Sequence, residues 1–179
     1  MVPKLQKETV AQQAERLARK AHAEVNHLYD GVPYADAHLK AVADVAEEFI
    51  HLIPEKDRDL VRAGCWTHDI IEDARLTYND VKVQCGTDVA EIAYALTNEK
   101  GRTRKERANA KYYQGIRDTQ YAQFVKCCDR IANILNSVNN GGNMLGMYAK
   151  EHEHFKRELY SEDLTSMFLR MEELFAPTK

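Results

Sequence analysis

Apolar residues recur along this chain at three- and four-residue steps, the spacing of one face of an α-helix. Leu39, Val42, Val45, Ala46, Phe49 and Ile50 form one stripe, with His38 at its N-terminal end. Phe124, Cys128, Ile131, Leu135 and Val138 form another and predict a helix over 120–138. A polar-rich helix is expected over 4–28. Pro54 breaks the chain ahead of a helix over 57–73. Thr77 with Asp80 resembles a helix N-terminus, and Gly86 a stop, for a short helix 77–85. Val89, Ile92 and Leu96 line the next. Helices over 103–117, 146–160 and 162–175 complete the set, and Asn139-Asn140-Gly141-Gly142 reads as a loop. No strand pattern, repeat or linker stands out. The expectation is an all-α chain, one helical domain over 1–179 with about eight helices.

The helix over 57–73 ends unusually. Its last turns read Cys65-Trp66-Thr67-His68-Asp69-Ile70-Ile71-Glu72-Asp73, four acid–base residues in six positions. On a helix, His68, Asp69, Glu72 and Asp73 share one side, and like carboxylates one turn apart repel. Positive charge is needed to hold them together. Neighbouring His68 and Asp69 can give one nitrogen and one oxygen to a single ion. His38, beside its apolar stripe, and Asp129, with Lys126 at i−3 and Asn133 at i+4, are the further candidates. Such a mixed set suits a divalent metal tolerant of imidazole and carboxylate, such as Mn²⁺, Fe²⁺, Co²⁺ or Zn²⁺. Glu72 and Asp73 would then orient or deprotonate a water. Taken singly, a His-Asp pair is ordinary surface chemistry, His38 a helix cap, and Asp129, Asn133, Asn136 and Asn140 a solvated face.

Composition narrows the setting. The 179 residues are 44% hydrophobic and 30% charged, with a net charge of −3. That gives no general attraction to nucleic acid or to an acidic membrane. The first twenty residues are too polar and acidic for a signal or transit peptide. Residues 131–149 carry no formal charge, but their asparagines and glycines exclude a membrane span. Cys65, Cys85, Cys127 and Cys128 show no metal or disulfide spacing, so a cytoplasmic protein with reduced thiols is expected. Oligomerisation stays open.

The order H…HD…ED…D, with its flanks, resembles the HD-domain phosphohydrolases. It is most similar to the hydrolase domain of the RelA/SpoT alarmone enzymes and their small stand-alone relatives. The resemblance spans about residues 18–160. It rests on GVPYADAH with His38, THDIIEDARLTYNDV, CGTDVAEIAYALTN, and VKCCDRIAN with Asp129 and Asn133. It implies a helical fold holding Mn²⁺ by His38, His68, Asp69 and Asp129, with Glu72 and Asp73 activating water and Asn133 near a nucleotide. The implied reaction removes the 3′-pyrophosphate of (p)ppGpp; stand-alone relatives also act on NADPH.

Two departures bear on substrate. The family's Arg-Lys pair ahead of Pro-Tyr is replaced by Asn26-His27-Leu28-Tyr29-Asp30, and three residues rather than two separate Tyr34 from His38. The resemblance therefore carries the metal centre further than the alarmone. Positive charge appears instead over 98–111, NEKGRTRKERANAK, where Arg102, Arg104 and Arg107 suit a substrate with at least two phosphate charges. Lys126 is a further candidate contact, and Tyr148 one for stacking on a base. The competing readings are another HD activity, on a nucleoside monophosphate or NADPH, and a non-catalytic nucleotide sensor, which would have no need of Glu72 and Asp73.

Overall fold

The computed structural model describes residues 7–141 and 144–176. Helix α1 (Val10–Glu24) begins at a capping box, in which Thr9 and Gln12 satisfy each other's end groups. The start expected at residue 4 falls partly on residues outside those described. Helices α2 (Lys40–Phe49), α3 (Arg58–Thr67), α5 (Tyr78–Cys85), α6 (Thr87–Leu96) and α9 (Ala122–Asn140) follow the sequence pattern closely. The Thr77–Asp80 capping box and the positive φ of Gly86 end α5 as its sequence suggests. Helices α10 (Met144–Leu159) and α11 (Thr165–Phe175) close the described chain.

Four expectations need correction. The helix over 57–73 divides into α3 and a single turn, α4 (Ile70–Asp73), because the chain turns at His68-Asp69. The helix over 103–117 divides into α7 (Arg104–Arg107) and α8 (Ala110–Asp118), since Asn109 is extended and caps α8 by accepting from Tyr112 N–H. With those breaks, the helices number eleven α-helical segments among the described residues. Asn139 and Asn140 are not loop but the end of α9, and Gly141 takes a left-handed φ of +65° after them; Gly142 lies outside the described residues.

The fourth correction is a strand pair. Strands β1 (Leu28–Tyr29) and β2 (Val32–Pro33) are antiparallel, in the register Leu28 opposite Pro33 and Tyr29 opposite Val32. Asp30 and Gly31 both have positive φ, 50° and 81°. That is the geometry of the two-residue hairpin turn that Asp-Gly favours. Strands of two residues are too short to show alternation.

Helix α9 lies at the centre. Helices α2, α3, α6, α8, α10 and α11 all pack on it. One apolar cluster, around Phe124, Ile131, Phe155 and Phe168, joins α9 to α10 and α11. A second, around Trp66, Ile70 and Leu39, joins α1 to α3 and α5. Gly64 lets α3 sit close: a Cβ there would lie 3.0 Å from Ile92 and 3.2 Å from Val125. The segment before α2, the α3–α4 turn and the middle of α9 are thereby brought to one place.

Candidate metal centre

His38 does not start an α-helix. It lies in a π-helical turn, Ala35–Leu39, whose next residue Lys40 donates back to the Ala35 carbonyl, five residues away. A π turn takes in an extra residue without ending the helix. From this turn His38 faces the site.

At the α3–α4 turn, His68 Nδ1 lies 2.8 Å from the Cys65 carbonyl. An unbroken helix would give that carbonyl to Asp69 N–H. The contact makes Nδ1 the protonated nitrogen and leaves Nε2 as the ring's free lone pair. Asp69, with φ −105° and ψ 1°, turns its carboxylate to the same side.

The donor atoms form an arc. Asp69 Oδ2 is 2.9 Å from His68 Nε2, His68 Nε2 is 3.3 Å from His38 Nε2, and His38 Nε2 is 3.2 Å from Asp129 Oδ1. His38, His68 and Asp69 each offer a ligand atom within 4.8 Å of the others. Metal–ligand bonds of about 2.0–2.2 Å put neighbouring ligand atoms about 3 Å apart, so one ion fits His38, His68 and Asp69, with Asp129 at the end of the arc and outside that close group. The electrostatics agree. Burial alone would lower the His68 pKa, yet Asp69 and then Asp129 raise it to about 9. The carboxylates thus favour a positive charge at Nε2. Asp69 in turn is held below the usual carboxylate range, its burial outweighed by His68 and His38.

Asp129 is placed by its own helix. Lys126 Nζ donates to Oδ2 at 2.8 Å, and Asn133 Nδ2 donates to Oδ1 at 2.6 Å. Burial opposes ionisation of Asp129, but Lys126 and the two imidazoles keep it well below the carboxylate range. The same Asp129 overcomes the burial of Lys126 and raises that ammonium's pKa.

Behind the arc lies a group that sequence reasoning missed. The Tyr34 hydroxyl donates to Asp69 Oδ2. Burial and Asp69 both push its phenol far above the usual value, so it remains a donor. The His27 ring stacks on Tyr34 at 3.8 Å and 11°, and His22 Nδ1 meets His27 Nδ1 at 2.9 Å. Tyr29 also enters: its hydroxyl donates to Asn133 Oδ1 at 3.4 Å and accepts from Asn136 Nδ2 at 3.1 Å. The Pro33-Tyr34 pair and the Asp30-Gly31 turn were the available signals for this hairpin.

The two acids beyond the ligands differ. Asp73, open to solvent on one side, has its carboxyl pushed up to about 6 by partial burial and by the charges of Asp69 and Glu72. Glu72 accepts from the Asn98 backbone N–H at 3.1 Å and from Asn98 Nδ2 at 2.9 Å. It thereby ties α4 to the loop after α6.

A cavity of about 600 Å³ opens beside Asp129, Lys126 and Asn133. Arg104 and Tyr148 line it as well, whereas Arg102 does not. The Arg102 backbone N–H donates to Glu106 at 2.7 Å. Tyr148 is buried and its ring is covered by guanidinium groups, Arg130 at 4.9 Å and Arg104 at 5.9 Å. Glu151 pairs with the same two arginines, each at 3.1 Å. Arg130 and Glu151 were not singled out in the sequence.

The fold is matched among solved structures. That of a metazoan ortholog of SpoT, described as hydrolysing ppGpp and playing a role in starvation responses, superposes with a TM-score of 0.71. The match covers 98% of this chain and 96% of that one, at 18% identity. The two chains share one helical fold over almost their whole lengths. No family model and no curated protein matches the sequence. Among the described residues, no helix is long and apolar enough to cross a membrane.

Proposed function

We propose that this chain is a metal-dependent phosphohydrolase acting on a nucleotide. The observation that carries the reading is the convergence of His38, His68, Asp69 and Asp129, the last of which also lines a cationic cavity. Those four residues would hold one divalent ion, with Mn²⁺ first among candidates by the family resemblance. Such an ion would polarise a phosphoryl oxygen and make a water more acidic.

The remaining roles belong to side chains. Asp73 accepts the proton of the attacking water, the role a carboxylate beside the arc can fill as general base. Glu72 fixes Asn98 and orients the same water. Tyr34 holds the Asp69 carboxylate at one rotation, and Lys126 with Asn133 does the same for Asp129. Arg104, backed by Tyr148 and Glu151, binds a phosphate oxygen through its guanidinium. (p)ppGpp, losing its 3′-pyrophosphate, is the first substrate to test, supported by the fold and by the cationic cavity.

The test is a phosphate- and pyrophosphate-release screen with Mn²⁺-loaded protein against ppGpp, NADPH and nucleoside mono-, di- and triphosphates. Release from at least one nucleotide, abolished by chelator, is expected. No release from any of them would refute the reading.

A further inference from the structure

The direction of each hydrogen bond around Tyr29 is dictated by its neighbours. An ionised carboxylate only accepts, so the group that Asn133 turns to Asp129 Oδ1, at 2.6 Å, is its amide nitrogen. Asn133 Oδ1 is then left facing Tyr29, and an amide oxygen also only accepts. The single proton of the Tyr29 hydroxyl therefore goes to it, across 3.4 Å. With that proton committed, the phenolic oxygen takes a donor from Asn136, whose Nδ2 lies 3.1 Å away. Asn136 Oδ1 in turn accepts from Asn140 Nδ2 at 2.8 Å. Asn133, Asn136 and Asn140 follow Asp129 at i+4, i+7 and i+11, along one face of α9. The chain runs one way, from Asn140 to the carboxylate, and Tyr29 enters it from outside the helix.

The hairpin holds Tyr29 in this place. The Asp30-Gly31 turn sets it opposite Val32, and Tyr34 N–H donates to the His27 carbonyl at 3.0 Å to close the strand pair. Its ring stacks on His38, with centroids 5.6 Å apart at 26°. Asp129 is the ligand that most needs such support. Its Oδ1 stands 3.2 Å from His38 Nε2 and 3.8 Å from His68 Nε2, outside the close group of His38, His68 and Asp69. The oxygen that Asn133 holds is the one that faces both imidazoles. Without the Tyr29 hydroxyl, Asn133 Oδ1 and Asn136 Nδ2 each lose a partner in a half-buried place, and the Asn133 amide is free to turn.

We infer that Tyr29 is a positioning residue for the metal centre, acting through Asn133 to fix the Asp129 carboxylate. The hairpin and the residue after it thus serve two ligands, Asp129 through Tyr29 and Asp69 through Tyr34. This role rests on the metal-centre reading, whereas the orientation of Asn133 does not require metal.

Tyr29→Phe keeps the ring against His38 and removes only the hydroxyl. Val32→Ala, exposed on the same hairpin, is the control. The first measurement is nuclear magnetic resonance of the isotope-labelled, metal-free full chain. Tyr29→Phe should move the Asn133 side-chain amide and Asp129 carboxyl signals together, and Val32→Ala should move neither. Signals unchanged in Tyr29→Phe, or moved alike in both variants, would overturn the inference. The second measurement titrates Mn²⁺ and reads the free ion by electron paramagnetic resonance. Affinity should fall about tenfold in Tyr29→Phe, the low end for groups that hold a ligand in place, and match wild type in Val32→Ala. In an Asn133→Ala background Tyr29→Phe should have no further effect, because the link is already cut. Losses that multiply independently would rule out the route through Asn133, and an unchanged affinity in Tyr29→Phe would rule out the role itself. Failure of wild type to bind Mn²⁺ would refute the metal-centre reading alone, because the amide signals still decide what Tyr29 orients.

Discussion

Asp73 and Tyr34 separate chemistry from binding at the level of single residues. Asp73 lies beside the donor arc without belonging to it, and burial with two neighbouring carboxylates lifts it to about 6. Asp73→Asn keeps the shape and removes the base. Metal content should hold while turnover falls by roughly 10²–10⁴-fold; turnover equal to wild type would remove Asp73 from the mechanism. Tyr34→Phe deletes only the hydroxyl that donates to Asp69 Oδ2. Groups that hold a ligand in place are typically worth about 10–100-fold in metal affinity. A competition titration should show a loss of that size, and an unchanged Kd would leave Tyr34 a packing residue. The sequence flagged His38, His68-Asp69 and Asp129 as one set of proposed ligands through their flanking motifs, and the structure brings these side chains near one another. Tyr34 was not legible there, since nothing in a one-dimensional pattern shows which carboxylate a phenol will reach.

At the scale of elements, local rules succeeded where a helix depends on its own stripe and caps, as in α5 and α9. They failed where a side chain takes over a backbone partner. The His68 ring occupies the Cys65 carbonyl and breaks a helix that periodicity would have continued. Asn109 likewise caps α8 and separates it from α7. The basic run 98–111 was visible as charge, but only packing shows Arg104 facing the cavity and Arg102 outside it. Helix α1 carries a pH prediction. His22 is buried on it, and its Nε2 has no hydrogen-bond partner. Burial, then the neighbouring His27, lowers its pKa from 6.5 to about 4. The unfolded chain therefore takes up a proton that the fold refuses between those values. Stability is full above pH 6.5 and is lost as pH falls towards 4. The loss between pH 7.5 and 5 should be about 2 kcal/mol larger in wild type than in His22→Phe, which keeps a ring but cannot titrate. Denaturant melts at the two pH values measure it, and parallel losses in both proteins would contradict the assignment.

At the scale of the whole molecule, helix α9 is the element around which the site is assembled. It carries Asp129, Lys126 and Asn133, lines the cavity, and is packed by α2 and α3, the helices next to His38 and to the His68-Asp69 turn. An ion held at the arc would therefore bridge α9, the α3–α4 turn and the π turn before α2. Phosphate release is expected to depend on one divalent ion held at this junction. The most direct measurement titrates chelator-stripped protein with Mn²⁺ while recording release from the nucleotide that reacts fastest. Release should rise from near zero and level off at about one equivalent of Mn²⁺, and Asp129→Ala should stay flat across the same range. Full release before any metal is added, or an Asp129→Ala curve that follows wild type, would contradict it.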